Sequence, residues 1–219
     1  MTRTFMDAAF VLYDRMTALD MVGPYEMLAP NPEITPHFVA HRRGTVRADQ
    51  GLELNATTTF DELPGPDLIV VPGSGRWRAV LEQNDALLAW LAAAHPAATW
   101  TTSVCTGATL LAKAGLLTGR TATTHWVSRE VLGELGAKVS TDRVVVDGDI
   151  ITAAGVSAGL DMGLALVGTL FDADRAKLLQ LMNEYQPEPP YDSGSLEKAP
   201  PGVVAFARAY DAETSIRTD

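Results

Sequence analysis

Thr101-Thr102-Ser103-Val104-Cys105-Thr106-Gly107 holds the only cysteine of the chain, at a point where the local pattern changes. Upstream, Ala97 to Val104 is a short apolar and β-branched run that suits a strand; downstream, Ala108 to Ala114 is a run of good helix formers. Cys105 therefore falls where a strand turns into a helix. A side chain at such a junction projects from the carboxyl edge of a sheet. The free N–H groups of the helix start point toward it, which is expected to lower a thiol's pKa and to offer donors to an anion. Serine nucleophiles use the same placement in elbow motifs. A lone cysteine can also be a small buried hydrophobe, and both readings stay open on these residues alone.

Toward the N-terminus, Leu68 to Val71 is a continuous apolar run of the kind buried on both faces of a sheet. It runs into Pro72-Gly73-Ser74-Gly75, a turn whose glycines permit close approach of backbone to a ligand, at the same sheet edge as Cys105. Ala8 to Leu12 suits a first strand, and Leu19 to Leu28 a helix entered at Asp20, with Gly23 and Pro24 in its first turn. Asp20 then reads as a helix cap, a role that leaves a catalytic one open. Pro30, Pro32 and Pro36 break the chain before a strand at Phe38 to His41. Thr45 to Ala48 and Leu52 to Thr58 pair as a hairpin around Asp49, Gln50 and Gly51. His37 and His41 share one side of a strand but have no third ligand nearby in sequence, so they read as surface histidines.

Toward the C-terminus, Trp77 to Ala94 has the apolar spacing of one helix, and Gly115 closes the helix that follows Cys105. Ala122 to Trp126 is β-prone and Val127 to Leu135 is helical up to Gly136. Nothing in the spacing brings His125 to Cys105, so local hydrogen bonds account for it. Val144 to Val146 and Ile150 to Ala153 form a hairpin about Asp147-Gly148-Asp149, and Val139-Ser140 is a further short strand. A helix runs from Ser157 through Leu170, another from Asp174 to Tyr185 behind an Asp172 cap, and a last one over Val203 to Ala212. Strands alternating with helices predict an α/β domain, a mainly parallel sheet covered by helices on both faces.

The 219 residues suit one domain spanning 1–219, and 47% hydrophobic with 20% charged residues is ordinary globular composition. With 17 basic and 27 acidic residues the net charge is -10, which disfavours nucleic acid and anionic membrane surfaces as partners. One cysteine cannot form an internal disulfide, the start lacks signal-peptide character, and no apolar run reaches the length of a membrane span. A cytoplasmic protein without a metal site is expected.

Three motifs in order, Val-Val-Pro-Gly-Ser-Gly at Val70 to Gly75, Ser-Val-Cys-Thr-Gly at Ser103 to Gly107 and Ala-Thr-Thr-His-Trp at Ala122 to Trp126, resemble the ThiJ/PfpI superfamily, of the class I glutamine amidotransferase-like kind. Leu-Asp-Met-Val-Gly-Pro at Leu19 to Pro24 and Glu-Tyr-Gln-Pro-Glu-Pro-Pro-Tyr at Glu184 to Tyr191 are most similar to isocyanide (isonitrile) hydratases within it. The resemblance implies a flavodoxin-like sandwich with Cys105 as nucleophile at an elbow and Asp20 as the acid that hydrogen-bonds it. It implies Thr106 in the place where protease-like relatives carry a histidine, and Gly73 and Ser74 as the loop whose amides help polarise substrate. Ser74 stands where a second glycine is frequent. A homodimer that needs no cofactor is also implied, acting on a small-molecule substrate.

Without histidine at Thr106 the Cys-His pair of a peptidase is missing. A glyoxalase or deglycase of small reactive aldehydes is the rival enzyme. A ligand sensor or redox-sensing thiol is the rival without turnover. The domain also resembles those fused ahead of AraC-type DNA-binding modules, but the segment after Tyr185 is expected to be too short for one.

Overall fold

The structure is a computed structural model that describes residues 5–217. Its strands are β1 (Met6–Val11), β2 (Ile34–Ala40), β3 (Gly44–Arg47), β4 (Glu53–Ala56), β5 (Thr58–Thr59), β6 (Leu68–Val71), β7 (Trp100–Val104), β8 (Thr121–Ala122), β9 (Lys138–Val139), β10 (Val144–Asp147) and β11 (Ile150–Ala153). Its helices are α1 (Ala18–Leu28), α2 (Trp77–Gln83), α3 (Asp85–Ala94), α4 (Gly107–Lys113), α5 (Arg129–Glu134), α6 (Ala158–Leu170), α7 (Ala173–Met182) and α8 (Pro201–Thr214).

Seven strands form the main sheet in the order β10-β11-β7-β6-β1-β2-β5, parallel throughout except for the hairpin that adds β10 at one edge. The helices α1, α6 and α7 pack together on one face, and α2 to α5 cluster on the other. Strands β1 and β6 are neighbours, yet the chain leaves β1 toward β2 and returns on the other side to build β6. That reversal opens a crevice at the carboxyl ends of β1 and β6, where ligands bind in open α/β sheets. The residues of β6 are fully buried, as a continuous apolar run requires when helices cover both faces.

Helix α1 packs closely against α6. A Cβ at Gly163 would lie 2.7 Å from the Cβ of Met27, and one at Gly159 would lie 3.1 Å from Pro24 Cδ. Only glycine at these two positions of α6 admits this approach.

Three local expectations need correction. Asp20 is not a cap: α1 begins at Ala18 behind Thr17, so Asp20 lies inside the helix and is fully buried. Pro24 is correspondingly well inside α1, past the first turn, and its missing N–H leaves the Asp20 carbonyl without the usual helical partner. The stretch from Trp77 to Ala94 is two helices, broken at Asn84 with φ -117° and ψ 43°. Strand β2 also begins earlier than the prolines suggested and includes Pro36. That residue pairs in register with Ala8 of β1, while β5 joins the other side only at Val39 and Ala40, so the ring borders an open edge. The predicted cap at Asp172 does accept the Arg175 N–H at 2.7 Å, and Gly115 and Gly136 both take positive φ where the helices end.

Candidate active site

Cys105 follows β7 directly and has φ 58°, one of three non-glycine residues with positive φ among those described. A left-handed residue with a side chain costs roughly 1–2 kcal/mol, so the conformation persists only because neighbours impose it. The Cys105 N–H reaches the carbonyls of Ala153 and Ala154 at 3.1 and 2.8 Å, and its own carbonyl accepts the Thr124 hydroxyl at 2.8 Å. Gly107, the second residue after the cysteine, presses α4 against the end of β6. A Cβ there would lie 2.5 Å from the Val71 carbonyl oxygen and 2.8 Å from that of Pro72.

The Pro72 to Ser74 loop is engaged at every polar group. The Pro72 carbonyl accepts the Tyr13 hydroxyl at 2.8 Å, and the Gly73 carbonyl accepts the Thr17 N–H at 2.8 Å. Gly73 N–H donates to Asp20 Oδ2 at 2.8 Å, and Ser74 N–H donates to Thr106 Oγ1 at 2.9 Å. The Thr106 hydroxyl reaches the Ser74 carbonyl at 3.1 Å, while Ser74 Oγ donates to the Arg15 carbonyl at 2.6 Å and accepts the Arg76 N–H at 2.9 Å. Gly73 admits no side chain, since a Cβ would lie 2.5 Å from both Thr106 N and Oγ1. The loop amides thus hold Asp20 and Thr106 rather than facing the solvent. Ser74, in the place of a frequent glycine, fastens the loop on its outer side.

These contacts bring Asp20 beside Cys105. Burial pushes the Asp20 carboxyl up from 3.8 to about 7, and the Gly73 N–H and the neighbouring thiol offset part of that rise. Its Oδ1 is buried without a hydrogen-bond partner, an environment that favours the neutral acid. Burial likewise raises the Cys105 thiol well above its ordinary value, with the charge of Asp20 adding to the effect and Thr106 opposing it. The expected lowering by a helix start is outweighed: the thiol is 5% exposed, and desolvation of the anion dominates. Acid and thiol therefore compete for protons as a coupled pair.

Cys105 and Thr106 lie in the floor of a chamber of about 460 Å³. Trp77, Trp126, Val127 and Val156 supply apolar walls, and α8 closes one side with Phe206 and Tyr210. His125 also lines the chamber, as spacing alone could not indicate. Burial and the charge of Arg129 push its pKa down to about 4, so it is neutral at pH 7, and its Nδ1 accepts the Val127 N–H at 3.4 Å. Sequence reasoning missed the part in the site of Tyr13, of Thr124 and of the last helix, which was expected as an element only; all three act here through contacts remote in sequence. His37 pairs with Asp7 at 2.8 Å, away from the site. Among the described residues no group of three or more His, Cys, Asp or Glu side chains could hold a metal ion. No described helix is long and apolar enough to cross a membrane.

Known proteins share this arrangement to different extents. The chain is 42% identical to isonitrile hydratase of Pseudomonas putida over 203 residues, 93% of this chain and 89% of that one. It is 34% identical over 134 residues to the HTH-type transcriptional regulator CdhR of Pseudomonas aeruginosa, a match that spans 60% of this chain and 39% of the regulator. The crystal structure of a ThiJ/PfpI family protein from Pseudomonas syringae superposes with a TM-score of 0.92 at 36% identity, covering 96% of this chain and 88% of the other. The fold is thus shared with a solved structure over nearly the whole chain, and with the DJ-1/PfpI family matching residues 6–169, from β1 into α6, the chain belongs to that family.

Proposed function

We propose that the protein is a cofactor-independent isocyanide hydratase, converting an isocyanide and water to an N-substituted formamide. The observation that carries this is the pairing of a buried thiol with a carboxyl held near neutrality at the floor of an apolar chamber. The extent of the similarity to an isonitrile hydratase supports it.

The terminal carbon of an isocyanide accepts a nucleophile and then needs a proton. Asp20 is the first of the pair to lose its proton, near pH 7, and transfer of the thiol proton to that carboxylate then gives a thiolate at Cys105 next to a protonated Asp20. The thiolate attacks the terminal carbon while Asp20, or a water it orients, delivers a proton to that same carbon, giving a thioimidate. Water adds to the thioimidate carbon and the nitrogen takes up a proton. The tetrahedral adduct then expels the Cys105 thiolate as its hydroxyl proton passes to the Asp20 carboxylate, which leaves the formamide and restores the pair. Thr106 fits as the donor beside the sulfur. Its N–H and its hydroxyl both favour the thiolate, and the hydroxyl proton can swing between the Ser74 carbonyl and the sulfur. In this reading Gly73 and Ser74 act by holding Asp20 and Thr106 in place. An amide donor lost from such a site costs about 3 kcal/mol of barrier.

Incubation with a small aryl isocyanide should yield the formamide at a rate far above the uncatalysed one, with methylglyoxal turned over weakly or not at all. The reverse preference would favour the deglycase reading, and no turnover of either would favour the sensor. A homodimer resident in the cytoplasm completes the proposal. The exposed Leu181 and Met182 of α7, 73% and 72% accessible, are an apolar surface that a second copy would cover. Light scattering that returned a monomer mass would remove the dimer.

A further inference from the structure

We infer that α8 selects the substituent on the isocyanide nitrogen through Phe206 and Tyr210, and that the substrates are isocyanides with a bulky, uncharged apolar group. This rests on isocyanide hydration as the reaction. Phe206, Ala207, Tyr210, Asp211 and Thr214 all line the chamber, and their spacing places them on one face of the helix. None of the residues of α8 is buried, so this face is not part of the hydrophobic core.

The helix is held over the site at two places. Asp211 Oδ1 accepts the Trp77 Nε1–H at 3.0 Å, and just past the helix the Ser215 carbonyl accepts the Ala79 N–H at 3.2 Å. Arg208 adds a cation–π contact, 5.5 Å from the Trp126 ring. Both aromatic partners, Trp77 and Trp126, are themselves chamber walls.

Substrate geometry turns this wall into a filter. The unit C≡N–R is linear, so once its terminal carbon meets the cysteine sulfur, the group R points along a straight line away from it. Cys105, Thr106 and Ser74 are 5%, 3% and 2% exposed, whereas Tyr210 and Phe206 are 57% and 74% exposed. The chamber runs from that buried floor toward the rim that α8 forms, which gives R a path past Phe206 and Tyr210. A chamber of 460 Å³ far exceeds the two reacting atoms and is of the size that accepts a ring-bearing ligand. Of the residues that line the chamber only Asp211 is charged, its Oδ1 is taken up by the Trp77 N–H, and His125 is neutral, so the walls are mainly apolar and suit an uncharged substituent.

The test is to measure kcat/KM for formamide formation from methyl isocyanide and from a para-substituted phenyl isocyanide, in the wild type, Phe206→Ala, Tyr210→Ala and the double variant. Both side chains are exposed, and unchanged melting temperatures should show that the variants fold. The expected result is a loss of roughly 10-fold or more with the aryl substrate, mainly in KM, and little change with methyl isocyanide. Equal losses with the two substrates, or no loss with either, would overturn the selective role. A wild type that hydrates neither isocyanide sinks the reaction itself, and this inference with it.

Discussion

Cys105 and Tyr210 face one chamber, yet they are held in different ways. The cysteine is 5% exposed, sits at a left-handed backbone position and is fixed by hydrogen bonds on both sides of its peptide unit. Tyr210 is 57% exposed on a helix without a buried residue, and that helix is attached through a few contacts. The floor is therefore a property of the backbone and of the sheet edge, and changes there alter reactivity. The rim is a property of side chains, and changes there should alter choice of substrate while the fold and the chemistry stay intact.

The sharpest division would come from Cys105→Ala. Turnover should fall below detection, while the melting temperature stays close to that of wild type, because alanine carries the same left-handed penalty and leaves only a small void. Measurable hydration by this variant would move the chemistry off the floor.

Asp20→Asn comes next. Asparagine can still accept the Gly73 N–H, but it cannot donate the proton, and a loss of roughly 100-fold or more is expected. In the wild type, kcat/KM should rise with pH through about 7, as Asp20 ionises and becomes able to take the proton of Cys105. That rise should disappear in the variant. Stability provides a second check. The folded state raises the carboxyl from 3.8 to about 7, so the contribution of Asp20 to stability is full below the lower value and is lost as pH climbs through the upper one. Asparagine has no such titration, so the melting temperature of the variant should gain on the wild type between pH 4 and pH 7 and hold level above. A constant gap would mean that Asp20 titrates normally.

The smallest effect at the floor is expected from Ser74→Gly. It removes the two hydrogen bonds of Oγ to the Arg15 and Arg76 backbones while keeping the loop's bonds to Thr106. A stability loss of about 1–2 kcal/mol and a several-fold lower kcat should follow. A variant with wild-type kcat would show that the outer fastening of the loop does not reach the chemistry.

The strand-to-helix change at Cys105, the glycine loop after β6 and the two hairpins were legible in sequence because each rests on local chemistry: β-branched runs, glycine at turns, helix formers after a strand. Asp20 was found as an acid near the sheet edge but misplaced as a cap. Proline is usually confined to a first helical turn, and Pro24 therefore drew the expected start of α1 too far along. The break at Asn84 was hidden because the apolar period runs across it. What could not be read was the assembly of the chamber. Tyr13 meets Pro72, Trp77 meets Asp211 and Thr124 meets Cys105 across long separations, and no spacing rule reports such contacts. The last helix was expected as an element, but its place over the site comes from tertiary packing alone.

Since Cys105 is the single thiol among 219 residues, a thiol reagent can add to each molecule only once, and that addition blocks the proposed nucleophile. Slow labelling of the folded protein against fast labelling in denaturant would separate molecules with a buried thiol from unfolded ones, without knowledge of the substrate. The same residue serves as a gauge of aperture. A graded series of reagents, from iodoacetamide to bulky maleimides, would reveal in solution how wide a path leads down to the sulfur.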